Sequence, residues 1–238
     1  METSTLLPVA QNSARLPVWI RVLTGYLIVI FPVLAVLLGI RMVMSPLFLQ
    51  FEYNRPGFPD DFYGFTREDR LDYAPYAVTY LLNDAGIEYL GDLQFPDGTA
   101  LYNSRELGHM RDVKVVTQAA FTVAWIAGIL AVAASIALLR RSHSRAAFRM
   151  ALRNGAFFTL ILIFTVIILA VFNWEFFFTT FHQLFFESGT WVFLYSDTLI
   201  RLFPEQFWFD AAITIGALAV IFSLLALFTV RMMRRVAA

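Results

Sequence analysis

The chain has 238 residues, 59% of them hydrophobic, with 18 basic and 18 acidic side chains and no cysteine. A net charge of zero offers no bulk basic field for nucleic acid. Lacking cysteine, the chain cannot perform disulfide exchange or supply a thiolate nucleophile or a thiolate metal ligand.

Four stretches reach the roughly 20 apolar residues that a bilayer crossing needs. The expected fold is an all-α integral membrane protein, one membrane domain over 1–238, with four transmembrane helices and a small extracellular, mostly helical cap. The first span covers 23–43, and Pro32 should kink it, which membrane helices tolerate. A signal peptide is the competing reading. The apolar core is longer than a usual h-region, however, and no A-x-A-like site follows in "RMVMSPLFLQF", so a retained helix is expected.

Residues 45–112 are too long for a turn and too apolar for a tether, and they read as the cap. In "FTREDRLDYAPYAVTYLLNDAG", Leu71, Val78, Leu81 and Leu82 recur at helical spacing. Thr66 and Asp69 are spaced as a capping box, Pro75 should kink or restart the helix, and Gly86 is a natural stop. A Pro-Asp-Gly turn follows at 96–98. A new helix capped by Asn103 or Ser104 then runs into the second span at 117–139.

The connection at 140–155 carries Arg140, Arg141, Arg145, Arg149 and Arg153 without an acid. The third span covers 156–174 and the fourth 211–230, after which come Arg231, Arg234 and Arg235. The positive-inside rule puts these arginines, together with Arg15 and Arg21, in the cytoplasm. Both termini are then cytoplasmic, and the cap and the 175–210 segment lie outside. Fifteen of the 38 residues from 172 to 209 are Phe, Trp or Tyr. Such a segment suits the membrane interface, and 178–209 is expected to form a re-entrant-like structure facing the cap.

Spans two to four contain no charged residue and span one has only Arg41. Carriers and proton channels place polar groups at the midplane, so the chemistry is expected at the outer interface. His109 and His182 reach that boundary from elements far apart in sequence, whereas His143 falls in the arginine loop. Two groups of pKa near 6.5 at one depth are what acid–base chemistry at neutral pH requires. Arg105, His109 and Asp112 are separated by four and three, so they share a helix face, with Glu106 beside them. A carboxylate there could fix the imidazole tautomer and an arginine could steady developing negative charge; the competing reading is a surface ion-pair ladder. For His182 the plain alternative is an interfacial, aromatic-like role. Asp197 reads equally as a helix cap and Trp191 as a membrane anchor. A metal would need a third ligand such as Glu106, and no H-E-x-x-H is present, so none is expected. Ser104, Ser188 and Ser196 lie outside any G-x-S-x-G elbow, which leaves a serine hydrolase weakly supported.

"NSRELGHMRDVK" before the second span, with "FHQLFFESGTWVFLYSDTLIRLFPEQFW" between the third and fourth, resembles the bacterial lipoprotein intramolecular transacylase family. The resemblance spans the whole architecture and implies a bacterial cytoplasmic-membrane acyltransferase with no cofactor. It implies diacylglyceryl-modified lipoproteins as substrates, handled at the membrane lipid surface. An acyl chain would move from the sn-2 glyceryl ester to the α-amine of the N-terminal cysteine, leaving a lyso-form lipoprotein. By motif, the family's two histidines map onto His109 and His182; Asn103, Arg105, Glu106, Asp112, Trp191 and Asp197 are expected as supporting residues from their own places along the chain. Either Arg105 or the Trp191 N–H would stabilise the oxyanion, and either histidine could be the base. The alternatives are a non-catalytic lipoprotein-binding subunit and a lipid-ester hydrolase at the same site.

Overall fold

The computed structural model describes residues 16–235, so Arg15 lies outside the described residues. Four long helices form the bundle: α1 (Val18–Val43), α5 (Ser104–Arg140), α6 (Arg145–Phe172) and α9 (Glu205–Arg235). Each is long and apolar enough to cross a membrane. Among the described residues there are also five shorter α-helices, α2 (Pro46–Asn54), α3 (Arg67–Leu82), α4 (Glu88–Gly91), α7 (Trp174–Phe185) and α8 (Thr198–Leu202), and a 3-10 turn at Ser142–Ser144. Among the described residues there is no strand, only one isolated bridge between Gln94 and Ala100.

Small residues let the long helices approach. On α6, Ala147, Ala151, Gly155 and Thr159 recur every four residues and are buried. A Cβ on Gly155 would lie 2.9 Å from Phe31 Cβ of α1, so this crossing depends on glycine. In lipid, where apolar burial drives little association, such close backbone packing is a main source of cohesion. The Tyr26 hydroxyl adds a bond to the Ala127 carbonyl at 2.7 Å, tying α1 to α5. At the end opposite the cap, Ser144 closes the α5–α6 hairpin by donating to the Leu138 and Arg141 carbonyls. The arginines of 140–153 and those of the α9 C-terminus gather at that end.

The cap is built from α2, α3, α4, α8 and the first turns of α5 and α9. Its core contains Leu49, Tyr53, Ala74, Tyr80, Leu90, Leu101, Leu202 and Phe207. Long-range bonds close it: Tyr53 donates to the Leu202 carbonyl at 2.9 Å, and Arg70 to the Arg201 and Pro59 carbonyls. Arg55 bridges buried Glu52 to Asp210, which fastens α2 to the start of α9.

Two local expectations need correction. Pro75 does not restart the helix: α3 runs continuously through it. The proline forfeits one helical bond, but Ala74 and Ala77 beside it are buried in the cap core, and that packing holds the turn. Gly86 is not the stop either: α3 ends at Leu82. The end is satisfied by side chains, with Lys114 Nζ on Asn83 Oδ1 and the Ala85 carbonyl and Gln118 on the Asn83 carbonyl. A cation at a helix C-terminus complements the helix dipole.

Candidate active site

Helix α5 runs without interruption from the cap into the bundle, so its first turns carry His109 at the junction of the two. Asn103 caps it, accepting from the Arg105 and Glu106 amides, while Glu106 reaches back to the Asn103 amide at 2.8 Å. Helix α6 stops at Asn173, which breaks the helical path and caps α7 through the Phe176 amide. Two turns later α7 presents His182. The imidazoles of His109 and His182 meet with ring centroids 6.3 Å apart and planes 26° apart.

Aromatic rings enclose the pair. Phe186 and Phe193 stand edge-on to His109 at 5.2 and 5.3 Å. Phe178 and Trp191 lie against His182 at 4.1 and 4.8 Å. Removing water from an imidazole disfavours its charged form. Burial, helped by the neighbouring His182, accordingly pushes His109 down to about 4. Asp112 opposes this only through its field, and its side chain is exposed. Burial lowers His182 as well, against a contrary pull from a backbone bond.

That bond fixes a tautomer. His182 Nδ1 lies 2.8 Å from the Phe178 carbonyl oxygen. A carbonyl only accepts, so Nδ1 carries the proton and Nε2 holds the lone pair. His109 Nδ1, in contrast, is buried without a partner, and so is Trp191 Nε1. Buried polar atoms are nearly always paired in folded proteins, and a catalytic role is one of the explanations for an exception.

The remaining predicted residues form a frame. Asp197 accepts from Arg105 at 2.6 Å, from Asn103 Nδ2 at 3.1 Å and from the Leu194 amide at 2.9 Å. It precedes α8 but makes no side-chain cap there. Glu106 is fully buried and accepts from the Leu199 amide at 2.7 Å. Burial pushes its carboxyl up, against the pull of the Asn103 and Leu199 amides. Two carboxylates thus pin the 186–203 segment onto the first turn of α5. Gly189, at φ +88°, allows the turn that presents Trp191. The spacing that grouped Arg105, Glu106 and Asp112 around His109 is real, but none of the three bonds its ring. Sequence reasoning missed Phe178, Phe186 and Phe193; the i, i+4 relation of Phe178 to His182 was the available signal. Among the described residues no three His, Asp or Glu side chains are grouped so as to hold a metal ion.

Comparison with known proteins agrees with this architecture. A family model described as "Lipoprotein intramolecular transacylase Lit" matches residues 25–208. An uncharacterised protein of Aquifex aeolicus is 34% identical over 209 residues, 85% of this chain and 90% of that protein. A solved structure of the membrane integral lipoprotein intramolecular transacylase Lit from Bacillus cereus superposes with a TM-score of 0.76 at 23% identity, covering 91% of this chain and 96% of that one. The same transacylase with one histidine changed to alanine gives 0.72 at 23% identity, covering 91% and 94%. At such identities the structural likeness is one of fold, while the family match carries the assignment. The chain belongs to the lipoprotein intramolecular transacylase family and is a multi-pass membrane acyltransferase.

Proposed function

We propose that the protein moves an acyl chain from the sn-2 glyceryl ester of a diacylated lipoprotein to the α-amine of its N-terminal cysteine, using His109 and His182 at the outer membrane interface. The observation that carries this reading is the desolvated pairing of the two imidazoles, 6.3 Å apart, at the cap–bundle junction. The nucleophile arrives tethered to its own ester, so attack is intramolecular and no enzyme nucleophile is needed.

The α-amine, with an ordinary pKa of about 8, attacks the ester carbonyl carbon and forms a tetrahedral intermediate. His182 Nε2 takes the proton from the amine nitrogen, since its Nδ1 is already committed to Phe178. The intermediate collapses with cleavage of the bond from the carbonyl carbon to the glyceryl oxygen, and the proton is returned to that oxygen. The product is an isomer of the substrate. His109, neutral at pH 7, sits beside the charged His182 as a hydrogen-bond donor to the leaving oxygen. Charge on His182 disfavours charge on His109, so the pair handles one proton at a time. The free Trp191 N–H is the donor for the oxyanion; Arg105 is already held by Asp197. The arginines of the 140–153 end favour a cytoplasmic placement of that face, leaving the cap and the histidines outside.

The alternative of a lipid-ester hydrolase is separated by one assay. A synthetic diacylated lipopeptide incubated with the purified protein should give a product of unchanged mass with one acyl chain on the amine. Loss of one acyl chain as free fatty acid would instead indicate hydrolysis.

A further inference from the structure

A second indole N–H is buried without a partner outside the machinery already described. Trp174 opens α7, and its Nε1 has no hydrogen-bond acceptor. Its ring stands edge-on to Phe209 of α9 at 5.3 Å. Trp174, Phe178 and His182 recur every four residues, so they share one face of α7. The Phe178 ring contacts Trp174 at 5.9 Å, Trp191 at 6.5 Å and His182 at 4.1 Å. Two unpartnered indole donors therefore flank a single phenyl ring that also packs on the His182 imidazole.

The substrate class has two acceptors, one for each donor. A diacylglyceryl group carries ester carbonyls on adjacent glycerol carbons; one is attacked and the other is retained. We infer that Trp174 Nε1 binds the carbonyl oxygen of the retained ester, making Trp174 a substrate-binding residue that selects diacyl esters. This rests on the transfer reading above. The acceptor arrives by displacing Phe178 and the turn that bears it, and α7 is built for such movement. None of its residues is fully buried, and its main packing neighbour is α6, from which the break at Asn173 separates it. Phe176, Phe181, Leu184 and Phe185 are exposed along it, a surface suited to acyl chains rather than water. In the free protein both donors are covered, and a buried donor left unpaired is costly. The substrate's oxygens relieve that cost.

The test compares two synthetic lipopeptides, one with the native sn-1 ester and one with an sn-1 alkyl ether lacking that carbonyl. Both keep the transferable sn-2 ester. Wild type should favour the ester in kcat/KM by about threefold to tenfold, the value of one neutral hydrogen bond. Trp174→Phe, which keeps the ring and removes the N–H, should lose that preference while processing the ether substrate at the wild-type rate. That second rate also shows the variant is folded. A full ester preference retained in Trp174→Phe overturns the inference, as does an equal loss on both substrates, which would place a bulk phospholipid ester on the indole. Absence of N-acyl product from wild type with either lipopeptide overturns the transfer reading itself, and this inference with it.

Discussion

Arg105 of α5 donates to Asp197 of the α7–α8 loop at 2.6 Å, closing a contact across 92 residues of chain. Asp197 also holds Asn103 and the Leu194 amide, so it is the hub and Arg105 one spoke. A partly exposed ion pair is worth at most about 1 kcal/mol, but displacing a site by an ångström can cost about a hundredfold in rate. Asp197→Ala is predicted to lower transfer by about tenfold to a hundredfold, and Arg105→Ala by clearly less. Initial rates of N-acyl product from purified variants check the order. A larger loss for Arg105→Ala would make the arginine the oxyanion donor instead.

Trp191→Phe keeps the ring against His182 and removes only the N–H. Loss of a single oxyanion donor lowers kcat by about 100-fold to 1000-fold in well-studied acyl transfer. The predicted outcome is a fall in kcat of roughly that order with KM little changed, read by saturation kinetics on a diacylated lipopeptide. A change confined to KM would assign Trp191 to binding alone.

The histidines also predict how stability responds to acid. His109 is held at about 4 in the folded protein against an ordinary 6.5 when unfolded. Between these values the unfolded chain binds more protons, so stability falls as pH is lowered through that window and is fully present above it. His182 shifts in the same direction. Thermal unfolding in detergent should give a lower Tm at pH 5 than at pH 7.5, and His109→Phe should narrow the gap. An equal gap in the variant would place the acid sensitivity elsewhere.

The spans were legible because nothing else explains four long apolar stretches. The cap was legible only as Asn103 or Ser104; the capping box with Glu106 makes it Asn103. The meeting of His109 with His182 could be anticipated only as a common depth, since helical spacing carries no information between elements that are 73 residues apart. Glu106 shows the limit well: its interval from His109 implied a shared site, yet its carboxylate turns to the Leu199 amide, a partner fixed by tertiary packing. Pro75 marks the opposite case: the restart it could signal does not occur, and Ala74 and Ala77 beside it are buried in the cap core. Asn173, which separates α6 from α7, gives no warning in a run of apolar residues, because its effect lies in backbone angles.

The most direct test of the account is production of N-acyl lipopeptide by His109→Ala and His182→Ala, each quantified beside wild type by mass spectrometry at matched membrane protein levels. The account predicts that both variants accumulate in the membrane and that neither forms the N-acyl isomer above background. Wild-type-level product from either variant would contradict it.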